Sequence, residues 1–131
     1  MDVPTICRYC GGPIRLVPAE QIYGKSTHRL GMDGESIYQC QNCNARVGCH
    51  KGTDRPLGDV ANETLRLKRI ETHHVFDAFW KSNNMTRTQA YKWLSQQLRL
   101  PEKDAHIGGF EMEQCQRVID MCNGNEKKEA A

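Results

Sequence analysis

Four of the seven cysteines in this 131-residue chain stand as two C-x-x-C pairs, Cys7-Arg8-Tyr9-Cys10 and Cys40-Gln41-Asn42-Cys43. No other feature constrains the fold as strongly, because two thiolates at this spacing can occupy two corners of one tetrahedron from a single tight turn. Gly11-Gly12 follows the first pair and Asn44 the second, residue types that take the left-handed backbone such a turn needs. Twenty-nine residues separate Cys10 from Cys40, room for a hairpin that brings the two turns together. Four free or redox-active thiols are the alternative. The cysteine total is odd, however, and Met1 to Gly12 holds no apolar run of the kind a secretion signal needs. Both facts point to a reducing cytoplasm and a bound metal rather than to a secreted disulfide framework. Cys7, Cys10, Cys40 and Cys43 are therefore expected to hold one Zn2+, and four sulfurs close its shell, so the ion is structural.

The rest of the chain suits a small domain that needs such a staple. Hydrophobic residues make up 38%, and no stretch approaches the length of a membrane span. Ile14 to Val17, Ser36 to Gln39 and Ala45 to Cys49 read as short strands, and Gln21-Ile22-Tyr23 as a strand leading into a long hairpin loop, Gly24 to Gly34. After a Gly/Pro-punctuated loop, Lys51 to Gly58, a helix is expected from Asp59 as N-cap to Lys81, ended by Asn83-Asn84. Thr86-Arg87-Thr88-Gln89 is a capping box for a second helix that stops before Pro101. A third helix covers Glu111 to Cys122, with Cys115 and Cys122 on its apolar stripe as packing residues. Cys49 is expected to pack in the same way. The expected architecture is α+β: a zinc ribbon of short antiparallel strands over 1–58, packed on a module of about three helices over 59–123, with a flexible tail over 124–131.

Charge is unevenly placed. Residues 61–100 carry seven Lys/Arg against three Asp/Glu, and residues 101–131 carry four against seven. The central helix has apolar residues on two faces, Leu65 with Phe76, Phe79 and Trp80, and Leu67 with Ile70, His74 and Ala78. Between them runs a polar stripe, Arg66, Arg69, His73 and Asp77, in which Asp77 is placed to accept from His73 and the arginines to hold a phosphate. An ordinary solvated face with an i,i+4 pair is the bland reading of the same spacing. His50, His73 and His106 come from three segments, and their spacing does not show whether they meet.

The strings Cys7-Arg8-Tyr9-Cys10-Gly11-Gly12 and Val47-Gly48-Cys49-His50-Lys51-Gly52-Thr53 with Pro56-Leu57-Gly58, then Arg69, His73, Phe76-Asp77 and Trp80-Lys81, continue into Ala90-Tyr91, Trp93-Leu94 and His106-Ile107-Gly108. Together, over about residues 6–120, they resemble a family of small phage and bacterial proteins known as zinc-finger-containing domain proteins. The resemblance implies a zinc ribbon fused to a helical module and a phage or mobile-element origin. It implies no particular reaction. His50, Arg69, His73, Asp77 and His106 all fall within the family-like strings, which gives that polar constellation more weight than spacing alone. The chain departs from the family at Arg8, where Pro is common, in a longer loop between Gly24 and Gly34, and at Ala105, where Cys is expected. The last departure argues against a second zinc site around His106.

The function these features favour is a nucleic-acid-binding accessory protein, acting on DNA in preference to RNA, without membrane contact. Lys25, Arg29, Arg46, Lys51, Arg55, Arg66 and Arg69 would meet phosphates, with Tyr9, Tyr23 and Tyr38 available for stacking if exposed. A protein–protein adaptor built on the acidic last helix is the first alternative. The second is a histidine-dependent nuclease using His73 as base, Asp77 to orient it and Arg69 on the phosphate, although the sequence lacks the dense carboxylate cluster a Mg2+ nuclease needs.

Overall fold

In the computed structural model, residues 3–124 are described, and they form two compact units that meet in the chain at Thr64 and Leu65. The first unit is built on a three-stranded antiparallel sheet in the order β1 (Ile14–Pro18), β2 (Ser36–Cys40), β3 (Arg46–Gly48). Register pairs Leu16 with Tyr38 and Tyr38 with Val47. Directly opposed residues share a face of a sheet, so Tyr38 and Val47 point the same way and are buried there with Cys7, Cys40, Ala45 and Val60. The Tyr38 hydroxyl leaves this core by donating to the Asp54 carbonyl at 2.6 Å, which satisfies its polar end.

Two expectations are corrected in this unit. Gln21-Ile22-Tyr23 is not a strand but lies in a short helix, α1 (Ala19–Tyr23). Pro18 ends β1 and starts the turn of helix, and Ala19, Glu20 and Gln21 favour helix once the ladder is broken. Buried Ala19 donates its N–H to Glu35 O at 2.8 Å, so the chain from α1 to β2 is closed at its base. Gly24 to Gly34 is consequently a series of turns opened by a 3-10 segment, Gly24–Ser26, rather than an open hairpin loop.

The second correction concerns the central helix, which begins at Glu63 and not after Asp59: α2 is Glu63–Ser82. Asp59 Oδ1 accepts the neighbouring Val60 N–H at 2.8 Å. Val60 and Ala61 are fully buried, and Ala61 exchanges backbone hydrogen bonds with Arg46 at 2.9 and 3.0 Å. Pairing with the sheet holds these residues extended and delays the helix.

In the second unit, α2 buries Leu65, Arg69, Thr72 and Phe76, spaced 4, 3 and 4 along one side. The second helix, α3 (Arg87–Leu98), carries the expected capping box: Thr86 Oγ1 accepts Gln89 N–H at 3.1 Å, and Gln89 Oε1 accepts Thr86 N–H at 2.9 Å. It ends where Arg99 turns left-handed, two residues before Pro101. The third, α4 (Met112–Cys122), has a capping box of its own, Glu111 with Gln114. Phe76, Leu94, Phe110, Cys115 and Val118 form the centre of the core, with Tyr91 edge-on to Phe76 at 5.1 Å between centroids. Of the expected tail, residues 125–131 lie outside the described residues.

Arg69, which spacing places on the polar stripe, is buried, with 6% of its surface exposed. Its Nε donates to Phe110 O at 2.7 Å, and a terminal nitrogen lies 3.7 Å from Glu111 Oε2. A side chain at buried spacing on α2 thus ties down the backbone that leads into α4. Replacing Arg69 with Met keeps the aliphatic stem but strands the Phe110 carbonyl. It should cost about 1–3 kcal/mol, read as a lower urea midpoint for loss of helical circular dichroism.

Candidate metal centre

The two cysteine turns repeat one backbone design. Cys7 N–H donates to Gly12 O at 2.9 Å and Cys40 N–H to Ala45 O at 2.8 Å, each spanning five residues. Gly11 (φ 77°) and Asn44 (φ 66°) hold equivalent left-handed positions, which closes each turn. Backbone N–H groups then aim at the sulfurs. Tyr9 N–H reaches Cys7 Sγ at 3.4 Å, Gly12 N–H reaches Cys10 Sγ at 3.4 Å and Asn42 N–H reaches Cys40 Sγ at 3.3 Å. Ala45 N–H stands in the same relation to Cys43. Each sulfur is served by the amide two residues on, and Asn42 Nδ2 adds a bond to Cys10 Sγ at 3.5 Å.

All four Sγ atoms lie within 4.8 Å of one another. The closest approaches cross between the turns, Cys7 to Cys43 and Cys10 to Cys40, both at 3.5 Å. A tetrahedron with Zn–S bonds of about 2.3 Å has S···S edges of about 3.8 Å, so the cluster has the size of a zinc shell. Its electrostatics also call for a cation. Hydrogen bonds from Asn42 and then Gly12 draw the Cys10 thiol down to about 6, aided by the neighbouring thiols. At Cys43 the Ala45 N–H pulls downward, but burial and the three other cysteines prevail and push the thiol up to about 12. Four thiols sharing so small a space cannot all ionise without a cation to compensate them.

Gly12 has a second function besides its place in the turn. A Cβ at this position would stand 2.8 Å from Asn42 Cβ, 3.1 Å from Cys40 Sγ and 3.3 Å from Cys10 Sγ. The turns approach too closely there for any side chain. The four thiols, their amide donors and this close approach fit one structural zinc ion.

Residues 3–125 match the family described as zinc-finger-containing domain. The chain belongs to that family. No curated protein and no solved structure matches it. Among the described residues of this zinc-finger-containing protein, the four cysteines are the one group of three or more His, Cys, Asp or Glu side chains gathered closely enough to hold a metal.

The other expected site residues are distributed as follows. Lys25, Arg29, Lys51 and Arg55 are exposed, Arg46 and Arg66 are half-buried, and buried Arg69 is withdrawn from the surface by its contacts with Phe110 and Glu111. His50 lies in the first unit, where its carbonyl accepts from Thr53 N–H and Oγ1 at 3.0 and 2.8 Å. His73 and His106 are half-buried in the second unit. Asp77 does not serve as the expected acceptor for His73: its Oδ1 takes the Trp80 indole N–H at 3.0 Å. His73 instead bonds the Arg69 backbone, and burial lowers its pKa against the upward pull of Asp77.

Of the tyrosines expected to stack, Tyr38 is buried, Tyr23 is half-buried beneath Arg46 and Tyr9 is 42% exposed beside the Arg8 guanidinium. Among the remaining cysteines, Cys115 is fully buried on α4, and burial raises its thiol. Cys49 and Cys122 are half-buried, and burial pushes each to about 11.

Sequence reasoning missed Arg15 and Gln39. Register places Arg15 opposite Gln39, and Gln39 opposite Arg46, in one row across the sheet. Strand alternation alone hints at the face, but the row depends on register.

Purified protein should contain one equivalent of zinc by elemental analysis. Because the Cys43 proton must leave, zinc uptake near pH 7 should release protons into weakly buffered solution, and apparent affinity should fall as pH falls. Gly12→Ala should weaken zinc binding by about 10–100-fold in competition with a chromophoric chelator, while a Gly12→Ala protein with unchanged affinity would contradict the close-approach argument.

Proposed function

We infer that this protein is a zinc-ribbon nucleic-acid-binding accessory protein of phage or mobile-element origin, acting on DNA in the cytoplasm. The observation that carries the reading is the row Arg15–Gln39–Arg46, which crosses all three strands on one face of the sheet. Arg15 is exposed, and Arg46 is steadied by Tyr23, whose hydroxyl accepts its Nε–H at 3.3 Å under a guanidinium 5.5 Å from the ring centroid. Neighbouring strands lie about 4.8 Å apart, so the two guanidinium stems rise about 10 Å from one another on a rigid base. A polar amide between them can bond a phosphate or a base edge. Exposed Tyr9, with Arg8 at 5.3 Å from its centroid, offers a ring for a base to stack on. The phage or mobile-element origin rests on the family resemblance.

A hydrolytic role for His73 and Asp77 has less support. Asp77 is occupied with the Trp80 indole, and Arg69, the intended phosphate ligand, is buried.

Fluorescence anisotropy with labelled single- and double-stranded oligonucleotides tests the binding reading. Affinity should fall steeply with salt, and on single strands Arg15→Gln should reduce the slope of log K against log salt by about 0.7, the value of one lost phosphate contact. Arg69→Met should leave that slope unchanged. Absence of binding at low salt, or an Arg15→Gln slope equal to that of the unmodified protein, would overturn the reading.

A further inference from the structure

The second apolar face expected on α2 remains exposed. Leu67 is 57% and Ile70 is 53% accessible, and His74 and Ala78 are exposed beyond them. At 100° per residue these four positions lie about 180° from the buried stripe of Leu65, Arg69, Thr72 and Phe76. They are therefore not the margin of the core but a separate stripe. Large apolar side chains aligned on one side of a helix, rather than scattered, mark a surface that binds something.

The charges at the two ends of this stripe say what. Glu63 and Lys81, both exposed, fall on the same line as the apolar residues, within an arc of about 80°. Eighteen residues separate them, so an acid and a base stand about 27 Å apart at opposite ends of one apolar strip. Run backwards about the level of residue 72, the strip sets Glu63 opposite Lys81, Ile70 opposite His74, and Leu67 within one residue of the level of Ala78. Parallel pairing would instead set Glu63 against Glu63 and Lys81 against Lys81. The charge pattern thus selects one orientation and one kind of partner.

We propose that α2 is a homodimerisation surface on which a second copy of this chain docks antiparallel, with Ile70 and His74 at its centre, Leu67 against Ala78 on either side, and reciprocal Glu63–Lys81 ion pairs at its ends. Such an interface is isologous: a two-fold axis on the exposed side of α2, between Ile70 and His74, makes each contact twice, as in most closed homodimers. Lys81 Nζ now rests 5.5 Å from the Trp80 ring centroid, close to the helix end where the partner's Glu63 would arrive. The strip is short, so association is modest and concentration-dependent.

The test uses the full zinc-loaded chain without nucleic acid, so its outcome is separate from that of the binding reading. Sedimentation velocity over a concentration series should show a monomer–dimer equilibrium. Ile70→Glu should abolish the dimer, and thermal melts should confirm that the variant stays folded, since the position is exposed. Glu63→Lys should raise the dimer Kd by about tenfold, because the two-fold axis changes both pairs at once. Adding Lys81→Glu to it should restore most of the affinity. A chain that stays monomeric throughout the series, or a dimer that survives Ile70→Glu, overturns the proposal. So does a charge-swapped double variant as weak as Glu63→Lys alone, which would remove the antiparallel pairing.

Discussion

The first unit depends on how four sulfurs can be held together. Cys7 to Cys43 and Cys10 to Cys40 each approach to 3.5 Å. At that separation four thiolates repel strongly, and the raised Cys43 thiol expresses that conflict. A zinc ion resolves it by placing a double positive charge at the centre, and the amides of Tyr9, Gly12 and Asn42 spread the remaining negative charge into the backbone. The sheet then hangs from the site. Cys40 is the last residue of β2 and is paired with Ile14 of β1, so metal ligation and strand register secure each other.

The second unit is organised around a different kind of polar anchor. Arg69 sits among apolar residues of α2 and holds the Phe110 carbonyl just ahead of α4. A guanidinium in such a place orders a loop that the apolar core alone does not specify, since hydrophobic contacts are non-directional and a hydrogen bond is not. The same contact removes Arg69 from the surface. Of the cations expected to meet phosphates, Lys25, Arg29, Lys51 and Arg55 stay exposed, and so does Arg15, whose partner across the sheet is Gln39.

The α2 helix shows why a two-faced apolar pattern is hard to read. Leu65 and Phe76 lie on the core side, while Leu67 and Ile70, equally apolar, lie outside. Periodicity identifies both stripes but does not rank them. The ranking comes from which stripe also carries Arg69, whose Nε–H donates to the Phe110 carbonyl, a partner that only the packed side of the helix supplies.

Sequence by itself determined the zinc ligands, the left-handed Asn44, the three strands and the capping box at Thr86. Each follows from residues close together in the chain, whose chemistry permits few alternatives. The family-like strings pointed to the same zinc-finger assignment. Tertiary structure decided the rest. It started α2 at Glu63 because Ala61 pairs with Arg46, and it turned Gln21–Tyr23 into helix after Pro18. It also buried Arg69, gave Asp77 to Trp80 instead of His73, and lined up Arg15 with Arg46 through strand register. These outcomes rest on contacts between residues distant in sequence or on competition between near neighbours for one acceptor. Neither spacing nor propensity specifies which of those contacts wins.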